Sequence, residues 1–502
     1  MSTEIELKLS ISPQGMETLK QHPFFQMLAT GPGHSRHLHN VYFDTPDLHF
    51  HDNAMALRLR HTGTHWLQTM KGGGGVQAGL HLRNEWETPV PGRQLDFAAL
   101  EQAGAPAFPA AIQNSIRDVF TTDFTRITHV LHFEGAEIEA CMDSGEIRCG
   151  SLAHPISEIE LELKSGQPLQ LYQLALALHR LAPMSIEATS KAEYGYRLFR
   201  PVTTQPRKAA LPAIDSTTPV DRALQQMIWA CLEHLQANLA GAIADRDDEY
   251  LHQVRVALRR LCVVLDMCAR QCHDDELQAL YDQVRKVGGQ LGVAREWDVF
   301  TRQILVTALA EAGQPSEYDW LLRTSETQRS DAHSRAERLL QGANLQAMLL
   351  RFGAWMSGPY WQAFAREKEL LQYSAKRLKQ LDRLVRRRAA CLRKDKIAAA
   401  KVHKLRIACK NLRYCAEYFA ALYPGHNFSD FVQQLENLQD ELGNFNDHVV
   451  GLVLLDKLDQ PSGAGGKKTI RKQLRLRQNN ALKKVRRCWK QFAATGLSQA
   501  LP

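Results

Sequence analysis

The sequence predicts an α+β N-terminal region built on a mainly antiparallel sheet, followed by an all-helical C-terminal region. Three observations carry this. Residues 1–200 contain short segments that alternate polar and apolar side chains with period two, separated by turn signals. Beyond a proline-rich stretch the period becomes 3.6, in long amphipathic segments. The second region also repeats itself at an offset of 151 residues.

The elements follow in order. The opening TEIELKL alternates Glu4, Glu6 and Lys8 with Ile5, Leu7 and Leu9, a strand with two unlike faces. Further strands are expected over Ala56–Arg60, Trp66–Lys71, Leu80–Thr88, Thr125–Phe133, Ala136–Asp143 and Ser157–Lys164, interrupted by a helix over Leu169–Leu181. The run Gly72–Gly75 reads as a flexible hairpin tip after Lys71. It is no phosphate-binding loop, because no GxxxxGK[ST] occurs there. His34, His37, His39, His49 and His51 read as surface loop histidines rather than a metal site. Residues 201–219 hold four of the 20 prolines and read as a linker between residues 1–200 and 220–502. In the helical half, HQVRVALRRL from 252 aligns with HKLRIACKNLR from 403, and Leu-Gly follows each His by 39 residues, at Leu291-Gly292 and Leu442-Gly443. Two related units, each about the size of a four-helix bundle, fit this repeat.

Composition narrows the function classes. A chain of 502 residues has room for two or more cores. No apolar run approaches the roughly 18 residues of a membrane helix, and no basic leader precedes an apolar core, so neither a membrane span nor a signal peptide is expected. Ten cysteines without a CxxC pair suggest reduced thiols in a cytoplasmic protein. The net charge of +8 conceals a split: residues 1–200 carry 16 Lys/Arg and 22 Asp/Glu, and residues 201–502 carry 46 and 32. An acidic half suited to cations is joined to a basic half suited to polyanions.

The wet faces of the strands form a collective pattern. Arg58 and Arg60, Thr69 and Lys71, Arg83 with Glu85 and Glu87, Glu137 with Glu139 and Asp143, and Glu158, Glu160, Glu162 and Lys164 all alternate in phase. E-x-E and R-x-R pairs on successive strands suit a sheet curved into a barrel with a polar interior. Such an interior needs a ligand of both signs, and a polyphosphate with divalent cations supplies it: carboxylates suit Mg²⁺ or Mn²⁺, while Arg and Lys hold phosphate oxygens.

The E-x-E-x-K of 4–8, YFDT of 42–45, LRLR of 57–60, Lys71-Gly72, R-x-E-x-E of 83–87, EIELELK of 158–164 and SKAEYGY of 190–196 resemble, in order, a CYTH domain, the triphosphate tunnel metalloenzymes. The resemblance implies an eight-stranded antiparallel tunnel that hydrolyses a triphosphate, with inorganic tripolyphosphate the expected substrate, to pyrophosphate and phosphate. It implies Glu4, Glu6, Glu85, Glu87, Glu160 and Glu162 as metal-side acids for two Mg²⁺ or Mn²⁺ ions, with Glu158 sharing the metal. It implies Lys8, Arg58, Arg60, Lys71, Arg83 and Lys191 as the catalytic cations on the phosphate chain. Arg126 and Asp143 stand second, as possible partners of these charges. Thiamine triphosphate, a nucleoside triphosphate, or cyclisation of ATP as in class IV adenylate cyclases remain alternatives, as does a non-catalytic polyphosphate-binding scaffold.

On a helix, His252, Arg255 and Arg259 share one face, as do His403, Arg406, Lys410 and Arg413, with Arg260 beside the first stripe. Arg295, Glu296 and Asp298, and Asn446 and Asp447 in the second copy, are placed to orient these cations. These features resemble a CHAD domain over roughly 220–502, although Glu296 stands where an Asp is usual and NFND replaces the Arg-Asp form. The resemblance implies a basic surface for polyphosphate, formed by His252, Arg255, Arg259, Arg260, His403, Arg406, Lys410 and Arg413. Basic runs at 383–396 and 467–490 extend this half, the latter as a docked helix with Leu474, Ala481, Leu482 and Val485 on its inner side. Aromatic residues are not interleaved with these runs as nucleic-acid stacking platforms would be, so polyphosphate is preferred over nucleic acid.

Overall fold

The computed structural model describes residues 3–63, 65–77, 80–201, 205–244, 247–313, 318–361, 369–395, 397–460, 465–497 and 501. The chain divides into two units, Met1–Gln205 with Gly342–Pro359, and Pro206–Gln341 with Tyr360–Pro502.

Among the described residues the first unit is built on nine strands: β1 (Thr3–Ile11), β2 (His34–Asp44), β3 (Met55–His61), β4 (Trp66–Gln77), β5 (Leu80–Val90), β6 (Arg117–Phe133), β7 (Ala136–Cys149), β8 (Leu152–Ser165) and β9 (Met184–Ile186). Their order is β5-β4-β3-β2-β6-β7-β8-β1-β9, and β5 also pairs with β1, so eight strands close into a ring with every pairing antiparallel. Along one edge β1 pairs with β8; along the other it pairs with β5 as far as Leu7 and with β9 from Leu9. The barrel turns its apolar face outward. Leu7, Leu9, Ile138, Met142, Ile159 and Leu161 join Leu171, Leu174 and Leu178 of helix Pro168–Leu181 in one buried cluster. Leu57, Met70 and Trp86 join Phe50 and Leu100 in another. With the oily faces covered from outside, the alternate positions are left to point inward.

Two expectations need correction here. The glycines 72–75 do not form a hairpin tip: β4 runs through them, with a register break between Gly72 and Gly75 and a positive φ of 68° at Gly73. A bulge of this kind uses the conformational freedom of glycine within a strand. His34, His37 and His39 lie on β2 and His49 and His51 on the short helix His49–Asp52, not in loops. Asp123 pairs with His37 at 2.6 Å and His39 at 3.0 Å.

The second unit contains two runs of long helices. The first comprises Val220–Ile243, Asp248–Ala269, Asp275–Val299, which continues through a π turn at Phe300–Leu305, and Asp319–Gln341. The second comprises Leu370–Ala389, Ala399–Phe419, His426–Lys457 and Lys467–Ala494. Within each run each helix packs on its sequence neighbour. Asp247 and Asp274 cap two of the helices, each carboxylate accepting a first-turn N–H. Lys467–Ala494 buries Ile470, Leu474, Ala481, Val485, Cys488 and Phe492 and leaves its cations outward, while Leu482 is half-buried. No helix among the described residues is long and apolar enough to cross a membrane. All ten cysteines are unpaired.

Candidate functional site

Register stacks the inward side chains of the barrel into rungs. Glu6 faces Glu162, which faces Glu139; Lys8 faces Glu160, which faces Cys141; Ser10 faces Glu158, which faces Asp143, which faces Arg126. On the far wall Asn40 faces Arg60, Tyr42 faces Arg58, Arg58 faces Thr69, and Lys71 faces Glu85. A cavity of about 120 Å³ is lined by Glu6, Lys8, Arg58, Arg60, Lys71, Glu85, Arg126, Glu160, Glu162 and Lys191, among others.

Lys191 reaches the cavity from the first turn of helix Lys191–Phe199, which Ser190 caps by accepting the Glu193 N–H. The helix lies close against β6: a Cβ at Gly195 would sit 2.1 Å from the Phe120 ring. Lys191 Nζ pairs with Asp143 at 2.7 Å, with Glu160 at 3.1 Å and with Glu158. Lys8 Nζ pairs with Glu160 at 2.7 Å and Glu6 at 3.2 Å. Arg126 grips Asp143 through Nε at 2.7 Å and a terminal nitrogen at 2.6 Å, and also pairs with Glu160. Lys71 and Arg58 pair with Glu85 at 3.1 and 3.4 Å. Thr69 donates to Glu87 at 2.9 Å.

Burial opposes the charge on Lys8, Arg60, Glu158, Glu160 and Lys191, and partners decide the outcome. For Lys8, burial alone would lower the ammonium, but Glu160 and then Glu6 outweigh it and raise it. Lys191 is likewise raised despite burial, by Asp143, Glu158 and Glu160. Glu160 is held well below the usual carboxylate range, its burial overcome by Lys191, Lys8 and Arg126. Glu158 is pushed up by burial, which Lys191 only partly offsets. For Arg60 the compensation falls short: its Nε donates to the Asn40 amide oxygen at 2.8 Å, and burial with Arg58 and Arg126 outweighs Tyr42 and Glu87 and pulls it down to about 10. A guanidinium strained by its cationic neighbours and aimed into a cavity is a ready anion subsite.

The structure thus brings together Lys8, Arg58, Arg60, Lys71, Lys191, Glu6, Glu85, Glu160 and Glu162. Glu87 lies beside this cluster through Thr69. Glu4 and Arg83 are Cα partners across β1 and β5, and their side chains lie outside the described ones. Asp143, ranked second from sequence, is fully buried at the centre of the cluster, and Asp143, Glu158 and Glu160 offer carboxylate oxygens within 4.8 Å of one another. Its phase with Glu137 and Glu139 was the signal in the sequence, and its register opposite Arg126 and Glu158 emerges only in the fold. This all-oxygen donor set fits Mg²⁺ or Mn²⁺.

The second unit holds a larger cavity of about 710 Å³, lined by His252, Arg255, Arg259, Arg295, Glu296, His403, Arg406, Lys410, Asn446 and Asp447, among others. Arg255 donates to the Gly288 carbonyl at 3.0 Å, and a Cβ at Gly292 would come within 2.9 Å of its guanidinium, whereas a Cβ at Gly443 in the second copy would meet nothing within 4 Å. His403 Nδ1 meets Asn446 Oδ1 at 3.0 Å. The cations crowd one another. Burial and Arg259 pull Arg255 down to about 10, and burial with Arg259, Arg406 and Arg255 pulls Lys410 down to about 5. Burial and then Arg295 bring His252 to about 4.

Three expected members of this site lie elsewhere. Arg260, one residue round the helix from Arg259, pairs with Glu417 over the Tyr414 and Tyr418 rings. Arg413 pairs with Glu436 at 2.9 Å and Glu417 at 3.3 Å. Asp298 turns from the cavity to His333 at 2.6 Å and Arg329 at 3.3 Å.

Residues 2–196 match the CYTH domain family and residues 226–456 the CHAD domain family. An inorganic triphosphatase of Haemophilus influenzae is 35 % identical over 199 residues, 39 % of this chain and 55 % of the relative. The chain thus spans about half the length of that curated relative. Among solved structures, a CHAD domain from Ricinus communis is 29 % identical, with a TM-score of 0.49, covering 57 % of this chain and 96 % of its own. A candidate adenylyl cyclase from Hippeastrum with a dominant triphosphatase activity is 17 % identical, with a TM-score of 0.30, covering 39 % and 95 %. The chain carries a CYTH domain over residues 2–196 and a CHAD domain over residues 226–456.

Proposed function

We propose that the barrel hydrolyses inorganic tripolyphosphate to pyrophosphate and phosphate with divalent metal, and that the cavity of the second unit binds polyphosphate. The observation that carries the first part is the convergence of Lys8, Arg58, Arg60, Arg126 and Lys191 with Glu6, Glu160 and Glu162 on one cavity. The named activity of the Haemophilus relative supports the choice of substrate.

The chain's own residues supply binding and orientation. Arg58, Arg60 and Lys71 hold phosphate oxygens from one wall, and Lys8, Arg126 and Lys191 from the other. Because Glu160 and Asp143 already fix Lys8, Lys191 and Arg126, little side-chain freedom is lost when phosphate arrives. The same cations stabilise charge growing on the departing pyrophosphate. Glu6, Glu160 and Glu162, with Asp143 and Glu158 behind them, would hold the metal, and Glu4, Glu85 and Glu87 complete the expected set. When bound, Mg²⁺ or Mn²⁺ supplies charge neutralisation and a water of lowered pKa. In the second unit, burial and the crowding of Arg259, Arg406 and Arg255 pull the proton from Lys410, and a polyanion would relieve that repulsion. The unpaired cysteines support a reducing, cytoplasmic setting.

The test is direct. The purified chain is given tripolyphosphate, ATP or thiamine triphosphate with Mg²⁺ or Mn²⁺, and phosphate, pyrophosphate and cyclic AMP are measured. Tripolyphosphate should turn over fastest, yielding pyrophosphate. Preference for an organic triphosphate, or formation of cyclic AMP, would overturn the substrate; no turnover with either metal would favour a binding scaffold.

A further inference from the structure

The helix Ala343–Met356 lies between the two runs of helices in sequence, yet it belongs to the barrel unit. Its inner face is apolar apart from the buried Gln346. Leu350 is fully buried with Leu171, Leu174 and Leu178 of helix Pro168–Leu181. Gly353 lets the two helices touch, since a Cβ there would sit 2.1 Å from the buried Tyr172 ring.

The helix also makes two polar attachments, and both end on β9. The Met184 N–H donates to His179 Nδ1 at 3.1 Å. That nitrogen is therefore the acceptor, so Nε2 carries the proton and donates to the Ala343 carbonyl at 3.0 Å. Two residues on, the Ile186 N–H donates to the Gln346 side-chain oxygen at 3.2 Å. Both His179 and Gln346 are buried, so neither bond is readily replaced by water.

The three residues of β9 are thus held on one side by β1, through Leu9, Ser10 and Ile11, and on the other by this helix. What they support is the site. The Glu187 N–H donates to the Lys8 carbonyl at 2.9 Å, and Glu187 in turn accepts from the Thr189 N–H at 2.7 Å and Tyr194 hydroxyl at 3.0 Å. Lys191 follows immediately. We propose that Gln346 and His179 are positioning residues for the triphosphate site, through which helix Ala343–Met356 fixes β9 and so sets Lys8 and Lys191. The site assigned to residues 1–200 then depends on a segment from the middle of the other half of the chain.

The kinetic arm of the test rests on the proposed triphosphatase reading; the exchange arm does not. In the full chain, Gln346→Leu keeps the shape and removes the acceptor, whereas Gln346→Glu keeps an acceptor oxygen. Amide hydrogen exchange across 184–191 should speed up about fivefold in Q346L, the factor for losing one net hydrogen bond of about 1 kcal/mol. The kcat for tripolyphosphate should fall about ten- to a hundredfold, as expected for a displaced cation. Q346E should recover most of both. Unchanged exchange across 184–191 in Q346L would overturn the proposal. So would faster exchange across 184–191 in Q346L with kcat unchanged, because β9 would then not set Lys8 and Lys191. If the parent chain fails to hydrolyse tripolyphosphate, the functional reading falls while the exchange comparison still decides the attachment.

Discussion

Replacing Lys191 by Met tests the electrostatics of the barrel most directly. The ammonium lies 2.7 Å from Asp143 and 3.1 Å from Glu160 and also pairs with Glu158, with all four side chains buried. Removing it leaves three carboxylates facing Lys8 and Arg126 alone. Breaking a buried pair by deleting one partner costs about 3–5 kcal/mol. That is a large share of the roughly 5–15 kcal/mol of a typical domain. The loss must depend on pH. Glu158 already has its carboxyl raised by burial, with Lys191 pulling it back. Without Lys191 it rises further. A carboxyl raised in the folded state contributes stability below its unfolded pKa, and that contribution disappears as pH rises through the folded value. The deficit of Lys191→Met should therefore be full near pH 8 and shrink as the pH falls toward 5. Urea unfolding of the full chain in chelator, followed by hydrogen exchange in β7 and β8, reads it out. A deficit that is flat over this range, or that grows on acidification, would refute the reasoning.

Three further outcomes are expected. Glu6→Gln should reduce tripolyphosphate turnover at least about a hundredfold with Mg²⁺ or Mn²⁺ while leaving the thermal midpoint near that of the parent; surviving activity would remove Glu6 from the metal set. Arg255→Ala with Arg406→Ala should weaken polyphosphate binding to the full chain by on the order of a hundredfold and flatten its salt dependence, measured by fluorescence titration. Unchanged affinity would put the binding surface elsewhere. Because Lys410 is pulled down to about 5, it is neutral at pH 7.5 and should gain a proton when a polyanion enters. Calorimetry in buffers of different ionisation enthalpy should detect that uptake and a tighter complex toward pH 6, and Lys410→Met should reduce the uptake.

The charged lining was legible because period two ties each inward side chain to its strand, whatever the neighbour. Glu6, Lys8, Arg58, Arg60 and Glu160 therefore emerge from alternation alone. Rank within the lining was less legible. Asp143 gains its place from register with Arg126 and Glu158, a long-range property that no single segment displays. β2 was missed as a strand because HSRHLHNVYFD has four exposed residues before any burial pattern begins. Arg260 and Arg413 were included because a basic helix stripe looks continuous in sequence, while Glu417 of helix Ala399–Phe419 and Glu436 of helix His426–Lys457 take them away. Residues 343–356 show the same 3.6 period as the helices on either side, and amphipathicity does not reveal which partner a helix chooses.

The placement of helix Ala343–Met356 also sets a clock. Its residues reach the solvent more than 140 positions after the last strand of the barrel. At roughly 5–20 residues per second of synthesis, β9 waits on the order of ten to thirty seconds with one edge uncovered. During that interval the nascent barrel has its lysines and carboxylates but not the strut that aligns them. Competence for chemistry is thus a late event in the life of the chain, reached only when its first helical run has already been made.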